Sequence, residues 1–452
     1  MNHPLRSSLP FFLLTLAVPV AVTQACWTTA PPGGELLDSG EIDAYVEGGA
    51  TFDGPIVIND GAIPGDGTVP GDGGSPEAGD AAEASAPPPF PSPTLAAGLG
   101  FGCHIDTKGA VWCWGDNQFG QAGRQPQSND DGGAQQVQIP SSGDAGLVAT
   151  ALAVGDDYAC AVTSQKTVYC WGRNDQNQLD HPTQGGQTCT SGQNYPCSWT
   201  PMQTTNTTPA VTIAAAGART CIVGSDGSVQ CWGGVQDGGT ATGPGTTSGL
   251  TQLSVAADHA CALVPAAAAA DGGAAGTQVE CWGANGEQQV TASWCDLYVC
   301  QTPVVAPVSN PTGMAAGAAF TCAIPAAGGV VCFGDNTAGE LGHAPNSSGD
   351  QPLDGGLTFN GTASAVTGLS NVSALIASGN DRAACALGSG GAVACWGNVQ
   401  DGGAGTPAAV AGLPSMSALG TADGTYVCGA ATDGGIWCWS LDAGASAPTQ
   451  VQ

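Results

Sequence analysis

Short apolar segments separated by turn residues recur seven times between about residue 93 and the end of the chain. The second copy is the clearest, with apolar Tyr158–Val162 followed by a turn and then by apolar Val168–Trp171. In most copies the turn is short and contains glycine, as in Ser225–Gly227, which is typical of a three-residue β-hairpin. The chain also holds 71 Gly and 31 Pro, which disfavours long helices. The pattern therefore predicts an all-β chain of repeated hairpins.

Each hairpin carries two cysteines, which are ten residues apart in six of the seven copies. Folding about Asp226 sets Cys221 opposite Cys231, where the Cβ separation of facing strand residues suits a disulfide. In the fourth copy an Ala- and Gly-rich insertion lengthens the hairpin tip without moving its base. In the chain-entropy model each loop of about ten residues contributes roughly 2.7 kcal/mol. The predicted hairpin disulfides are Cys103–Cys113, Cys160–Cys170, Cys221–Cys231, Cys261–Cys281, Cys322–Cys332, Cys385–Cys395 and Cys428–Cys438.

A large aromatic residue follows the second cysteine of every hairpin. Recurrence at one position in all copies is what structural packing predicts, whereas residues of a ligand cage or a base-stacking platform should differ between copies. We therefore expect these rings to pack between neighbouring repeats. They are Trp114, Trp171, Trp232, Trp282, Phe333, Trp396 and Trp439.

The repeat resembles that of the regulator of chromosome condensation family. The resemblance rests on the cysteine-bearing strand, the glycine turn, the Val-x-Cys-Trp-Gly strand, and an Asn followed by Gly120-Gln121 or Gly339-Glu340. Seven such repeats imply a seven-bladed β-propeller over residues 93–452, with one hairpin disulfide per blade. The final segment, Ala447–Val451, is expected to pair beside the first blade and so remove an open sheet edge.

The N-terminal residues are typical of export. Arg6 precedes an apolar run over residues 9–22 that is too short for a membrane span and suits a signal peptide, residues 1–25. Cys26 then resembles the lipidated residue of a bacterial lipoprotein, and ordinary cleavage after Ala25 is the alternative. Residues 26–92 hold twelve acidic residues and no Lys or Arg, which predicts a disordered acidic tether that precedes the propeller.

Five cysteines remain outside the hairpins. Cys189 with Cys197 and Cys295 with Cys300 are predicted local pairs in two long connections, which leaves Cys26 unpaired. Both connections follow the Trp-Gly strand of their repeat, so they should emerge on one face of the ring. Rigid loops bearing aromatic residues suit recognition, or the disulfides protect the loops and the rings pack back on the blade. The candidate binding residues are Tyr195, Trp199, Trp294 and Tyr298.

The net charge and the motifs of the sequence restrict the classes of function that the chain can have. The formal net charge of -30 would repel nucleic acid and an anionic membrane surface, so membrane attachment is expected only through a lipid anchor. No histidine spacing suggests zinc, and we find no activated nucleophile or phosphate-binding glycine motif, so no metal, cofactor or catalytic residue is predicted. The nucleotide-exchange activity of the family is not expected to transfer.

The sequence therefore predicts a monomeric, non-catalytic binding module. It would be an outer-membrane or cell-surface lipoprotein, or otherwise secreted, whose partner is a protein or glycan at the cell surface. The alternatives are a secreted enzyme that acts on glycans and a protein inhibitor of an extracellular enzyme.

Overall fold

The computed structural model describes residues 94–126, 132–140, 147–182, 188–190, 194–234, 245–246, 249–266, 276–293, 295, 298–347, 349–352, 357–379, 382–399, 405–424, 426–441 and 447–451. The predicted signal peptide, the lipidation site Cys26, the acidic tether and the candidate residue Trp294 lie outside these ranges. Within them the regular secondary structure consists of β-strands joined by turns and loops.

Seven sheets, antiparallel except for one strand pair, follow one another along the described chain, so the predicted all-β, seven-bladed propeller is confirmed. Blade 1 contains β1 (Leu95–Ala97), β2 (Phe101–Ile105), β3 (Val111–Gly115) and β4 (Gln135–Val137). Blade 2 contains β5 (Ala149–Val154), β6 (Tyr158–Thr163), β7 (Val168–Arg173), β8 (Thr188–Thr190) and β9 (Asn194–Gln203). Blade 3 contains β10 (Ala210–Ala216), β11 (Arg219–Gly224), β12 (Ser228–Gly233) and β13 (Gly245–Thr246).

Blades 4, 6 and 7 have the four-stranded order of blade 3, and blade 5 has a fifth, outermost strand, as blade 2 does. Blade 4 contains β14 (Gln252–Val255), β15 (His259–Pro265), β16 (Thr277–Ala284) and β17 (Val299–Val305). Blade 5 contains β18 (Pro311–Ala316), β19 (Phe320–Pro325), β20 (Val331–Asp335), β21 (Gln351–Pro352) and β22 (Thr358–Ala365). Blade 6 contains β23 (Val372–Ala377), β24 (Ala383–Gly388), β25 (Val393–Gly397) and β26 (Ala408–Ala409). Blade 7 contains β27 (Met416–Leu419), β29 (Tyr426–Ala431), β30 (Ile436–Ser440) and β31 (Thr449–Gln450), and the short strand β28 (Thr421–Ala422) between β27 and β29 belongs to the sheet of blade 1.

The second and third strands of every blade form the predicted hairpin with its disulfide. Cys221 faces Cys231 across β11 and β12, as folding about the Asp226 turn requires. The fourth blade keeps the same register despite its insertion, with Cys261 opposite Cys281. In all seven hairpins the cysteine Cα atoms are 4.0 to 4.1 Å apart. One disulfide per blade is therefore confirmed.

The aromatic residue of each blade packs against the blade before it, as predicted. Trp171 of blade 2 is fully buried among apolar residues of blade 1, and its indole Nε1 donates to the carbonyl oxygen of Gln121 at 2.9 Å. Trp232 donates in the same way to Gln178 of blade 2. Trp114 of blade 1 packs against blade 7, so the series also joins the last blade to the first.

The Asn and Gln positions of the repeat hold the loop that receives this indole. In blade 1 the side chain of Asn117 accepts the N–H of Ala122 at 3.0 Å, and the side chain of Gln121 accepts the N–H of Phe119 at 2.8 Å. These bonds fix the loop so that the carbonyl oxygen of Gln121 meets Trp171. In blade 5 the Gln position is occupied by Glu340, whose carbonyl oxygen accepts the Trp396 indole.

Closure of the ring differs from the prediction. The C-terminal strand β31 pairs with β30 of its own blade, with Thr449 opposite Cys438, and does not extend blade 1. It therefore completes blade 7 as β26 completes blade 6. Pairing with β30 closes a much shorter loop of chain than pairing with blade 1 would, so it costs less conformational entropy. The bridge to blade 1 comes from β28, which pairs in parallel with β1, Thr421 opposite Ala96.

The two sides of the ring differ in their connections. We call the side with the tips of the disulfide hairpins the hairpin face. The turns between first and second strands, and the connections that follow each third strand, lie on the opposite side, which we call the loop face. The connections after β7 and β16 carry the two additional disulfides, so both lie on the loop face.

Candidate interaction face

A disulfide-braced hairpin extends blade 2 on the loop face. Strand β9 pairs with β7, placing Cys197 opposite Arg173, and then pairs with β8 on its other side. The Cys189–Cys197 disulfide joins β8 to β9, with Cα atoms 5.9 Å apart. The repeat's own disulfide, Cys160–Cys170, joins β6 to β7, so the braced hairpin of β8 and β9 is an addition to the repeat. It carries Tyr195 and Trp199.

Tyr195 and Trp199 pack against the neighbouring loop of blade 1. The Tyr195 ring meets the edge of the buried Phe119 ring, with centroids 5.8 Å apart. Trp199 is half-buried in the same cluster, and its backbone lies against Gly120. A Cβ added at Gly120 would lie 2.5 Å from the Trp199 Cβ, and Gly120 has a φ of 78°, so this contact requires glycine. The two candidate residues therefore form part of a cluster between blades 1 and 2.

Arg173 lies over this cluster and joins it to two carboxylates. Its guanidinium carbon is 4.6 Å from the Tyr195 ring centroid and 5.2 Å from that of Phe119, a cation–π arrangement. The guanidinium also pairs with Asp175 at 2.6 Å and with Asp157 at 3.2 Å. Burial raises the pKa of Asp157 to about 6, while the hydrogen bond from Arg173 acts to lower it. The cluster combines aromatic planes, a fixed cation and acidic groups.

Sequence reasoning missed Phe119, Arg173 and Asp175. A signal for Arg173 was present, because the residue after Trp-Gly or Phe-Gly is acidic in blades 1 and 5, at Asp116 and Asp335, but is Arg in blade 2. With only 7 Lys and Arg in the whole chain, a cation at this position is distinctive.

The braced loop of blade 4 presents a different aromatic. Cys295 and Cys300 form a disulfide, and Tyr298 lies between them with a φ of 61°. The Tyr298 N–H donates to Cys295 at 3.1 Å, and its carbonyl oxygen accepts the N–H of Asn285 at 2.7 Å. Tyr298 is 60% exposed and lies outside the cluster of blades 1 and 2, and the structure does not describe Trp294.

Carboxylates outnumber cations among the described residues of the loop face. Arg382 pairs with Asp335 at 2.9 Å and with Glu340 at 3.4 Å. Burial, together with the nearby Asp335, raises the pKa of Glu340 to about 7. The described acidic residues of this face are Asp116, Asp156, Asp157, Asp175, Asp258, Glu287, Asp335, Glu340, Asp350 and Asp423, against Arg173, Arg219 and Arg382. The face is therefore suited to a partner of positive charge.

One arrangement has the groups of a catalytic triad. His259 contacts Asp258 through Nδ1 at 2.9 Å and Thr321 of the next blade through Nε2 at 3.0 Å. However, His259 is fully buried, and the Thr321 hydroxyl donates to the carbonyl oxygen of Gln289.

Side-chain hydrogen bonds of the same kind join blades 2 and 3, with a tyrosine in place of the histidine. There the Tyr158 hydroxyl is 2.7 Å from the Thr220 hydroxyl, which donates to Gln178. Tyr158 and His259 each stand two residues before the first cysteine of their blade. His259 therefore occupies a structural position between blades.

Among the described residues, no group of three or more His, Cys, Asp or Glu side chains is arranged to hold a metal ion. Within the same ranges, no helix has the length and apolarity that a membrane span needs.

Comparison with known proteins agrees with the fold. The sequence model of the regulator of chromosome condensation (RCC1) repeat matches residues 94–121 and 149–178. Protein pim1 of Schizosaccharomyces pombe is 28% identical over 150 residues, which cover 32% of this chain and 27% of pim1. Human E3 ubiquitin-protein ligase HERC2 is 26% identical over 142 residues, 31% of this chain and 3% of HERC2. The chain therefore spans well under a third of the length of these relatives.

Solved structures give the same result for the fold. Prp20p of Saccharomyces cerevisiae, described with its binding to Gsp1p and histones, has a TM-score of 0.57 at 17% identity and aligns over 73% of this chain and 80% of its own. Human WBSCR16 has a TM-score of 0.55 at 14% identity, over 76% of this chain and 94% of its own. Together with the seven sheets and the repeat match, these findings identify the chain as a seven-bladed β-propeller of the RCC1 repeat type.

Proposed function

We propose that this protein is an exported, lipid-anchored and non-catalytic binding module that docks a protein or glycan at the cell surface through its loop face. The cluster of Phe119, Arg173, Tyr195 and Trp199 carries this proposal. It is built on a disulfide-braced hairpin that the repeat does not require, and it places half-buried aromatic rings beside a cation and carboxylates. Aromatic residues and Arg held in fixed positions are the groups that dominate binding at protein interfaces.

The fold supports binding as the general activity. RCC1-type propellers are interaction folds, and the yeast relative Prp20p has been described with the partners Gsp1p and histones. Those partners do not follow for this chain, because fold similarity at 17% identity carries no specificity. An acidic loop face and the nineteen cysteines instead favour a basic surface met outside the cytoplasm.

The proposed face predicts a specific mutational result. Partners would be captured from cell-envelope and culture fractions on the immobilised full chain and then titrated singly against variants. Tyr298→Ala and Trp199→Ala should each cost about 2 kcal/mol or more of binding free energy, as aromatic hot spots do. Trp294→Ala, outside the described residues, is expected to behave in the same way. Calorimetry with the purified partner gives these values.

Trp437→Ala is the matched control, because Trp437 is half-buried at the hairpin end of blade 7. It should leave binding unchanged. Binding that withstands Tyr298→Ala and Trp199→Ala but is lost in Trp437→Ala would place the interaction on the hairpin face and contradict the proposal. Turnover of a polysaccharide by the purified chain would instead establish the glycan-active enzyme, and inhibition of a captured enzyme would establish the inhibitor.

Anchoring is tested at Cys26. The mature protein should begin at Cys26 and carry acyl groups, so it should fractionate with membranes and give an intact mass above that of the polypeptide. Cys26→Ser should release a folded propeller into the soluble fraction. Mature wild-type protein found in the medium without acyl mass would show ordinary signal cleavage and remove the anchor from the proposal.

A further inference from the structure

The outer strand of blade 3 ends before it reaches the blade disulfide. In the other six blades a residue of the outer strand lies directly opposite the second cysteine of the hairpin. The pairs are Gln135 opposite Cys113, Met202 opposite Cys170, Val304 opposite Cys281, Ser364 opposite Cys332, Ala408 opposite Cys395 and Thr449 opposite Cys438. In blade 3, β13 pairs with Ser228 and Val229. Among the described residues, none of an outer strand lies opposite Cys231.

Cys231 is also the one blade cysteine that is not buried. Its partner Cys221 and the twelve cysteines of the other blades are buried, whereas Cys231 is half-buried. A cleft of about 550 Å³ adjoins it, and Val229–Trp232 form part of the lining. Side chains alternate between the two faces of a strand, so four consecutive residues can line one cleft only along the edge of the strand. A small molecule in this cleft therefore reaches the edge of β12 at Cys231.

The position of the two sulfur atoms in the sheet decides which of them an external thiol can attack. In thiol–disulfide exchange a thiolate attacks one sulfur, in line with the bond that breaks, and the rate depends on access to that sulfur. A thiolate behind the Cys221 sulfur would have to pass through β10, where Ala214 lies opposite Cys221. The line behind the Cys231 sulfur leads instead to the outer edge of the sheet, where the other blades have their outer strands. Cys231 therefore carries the sulfur that is open to attack.

We infer that Cys231 is a site of reversible modification by small external thiols, and that blade 3 is the blade whose hairpin disulfide exchanges in the folded protein. The thiolate forms a bond to the Cys231 sulfur. The Cys221–Cys231 bond breaks with its electron pair on the Cys221 sulfur, which takes up a proton from the solvent. The external thiol is thereby oxidised to a mixed disulfide, and Cys221 is reduced.

The surroundings of the disulfide make the exchange reversible and select the thiol. Cys221 is held in the sheet opposite Cys231, so its thiol displaces the external group again once free thiol is removed. The formal net charge of -30 repels anionic thiols, which favours an uncharged one. The site lies on the outer edge of blade 3 and not in the cluster on the loop face, so its failure would leave the proposed function unaffected.

A pulse of 2-mercaptoethanol on the folded full chain tests the site. Acid stops the reaction, N-ethylmaleimide in acidic denaturant labels free thiols, and peptide mass mapping locates them. We expect N-ethylmaleimide on Cys221 and mercaptoethanol on Cys231, formed about tenfold or more faster than adducts at the other six blade disulfides. The loop disulfide Cys295–Cys300 is the reference for an accessible bond, because Cys295 is also half-buried. Urea below the unfolding transition should leave the rate at Cys231 unchanged.

Outer-strand variants of blade 6 test the physical cause. Ala408 and Ala409 are both exposed. The Val410 N–H donates to the carbonyl oxygen of Val393, so the alternation of an antiparallel ladder directs the Ala408 N–H to β25 and the Ala409 N–H away from it. Ala408→Pro removes a ladder hydrogen bond beside Cys395 and should speed exchange at Cys385–Cys395 by about tenfold. Ala409→Pro is the matched control and should leave that rate unchanged.

Thr449→Pro, opposite Cys438 in blade 7, is the second variant if Ala408→Pro lowers the melting temperature. It should speed exchange at Cys428–Cys438. Equal reaction of all seven blade disulfides, mercaptoethanol on Cys221 in place of Cys231, or a rate at Cys231 that rises with urea would overturn the inference. So would unchanged exchange in both outer-strand variants.

Discussion

Trp171→Ala is expected to lower the free energy of unfolding by about 3–5 kcal/mol, the cost of removing a large buried ring from a packed interior. Trp171 is fully buried between blades 1 and 2, and its indole also donates to the carbonyl oxygen of Gln121 at 2.9 Å. Trp282→Ala should fall in the same range, because Trp282 is buried at the junction of blades 3 and 4. Urea denaturation with intact disulfides, followed by far-ultraviolet circular dichroism, gives both values.

The chain itself supplies a matched control for the Trp171 experiment. Phe333 occupies the equivalent position in blade 5, and there the carbonyl oxygen of Gln289 is taken by the Thr321 hydroxyl instead of an indole. Trp171→Phe should therefore keep most of the packing and lose about 1 kcal/mol for the hydrogen bond. Tyr298→Ala, at an exposed ring, should hardly change stability. A loss below about 1 kcal/mol for Trp171→Ala would contradict packing between blades as the role of these rings.

The blades were predictable because their determinants are local. Ten residues between Cys221 and Cys231, with a glycine turn midway, allow one register, and the structure has that register. Recurrence of the aromatic position similarly predicted its burial. The closing strand was not predictable by this argument, because the sequence of Ala447–Val451 suits an outer strand of either neighbouring blade. Proximity to β30 along the chain decides between them.

For the interaction face, the sequence indicated which residues matter but not what they contact, because those contacts are not local. Disulfides and aromatic content indicated that Tyr195 and Trp199 were important, and nothing in the local sequence showed what they contact. Their partner Phe119 lies in the loop of another blade, and Gly120 admits the Trp199 backbone only because it lacks a Cβ. Such contacts depend on how two blades are placed in the ring, which periodicity within one repeat does not specify.

Stability should fall as the pH rises from about 5 to 8, because four carboxyl groups on the loop face have raised pKa values: Asp157, Glu287, Glu340 and Asp423. Burial is the main cause for all four, with values of about 6 for Asp157 and about 7 for Glu340. A raised folded-state pKa means that the folded protein binds a proton more tightly than the unfolded chain does. The stabilising contribution is then complete below the unfolded pKa of about 4 and is lost as the pH rises through the folded value.

Glu340→Gln isolates the contribution of Glu340. Gln stands at the same place in blade 1, where the side chain of Gln121 accepts a backbone N–H as Glu340 does from Ala338 at 2.8 Å. A shift of more than two pKa units corresponds to about 3 kcal/mol. At pH 8 the variant should therefore be more stable than the wild type by about 2–3 kcal/mol, while at pH 5 the two should be nearly equal. Arg382 keeps its ion pair with Asp335 at 2.9 Å.

Denaturant titrations at pH 5, 6, 7 and 8 measure this difference directly. Asp226→Asn is the control: Asp226 lies in an exposed hairpin turn, and hydrogen bonds from Ser228 lower its pKa, so it is ionised throughout this range. Its substitution should leave the slope of stability against pH unchanged, whereas Glu340→Gln should flatten that slope. If the slope of Glu340→Gln equalled that of the wild type, the Glu340 carboxyl would have to be ionised in the folded propeller at pH 5. Its pairing with Arg382 at 3.4 Å would then outweigh its burial.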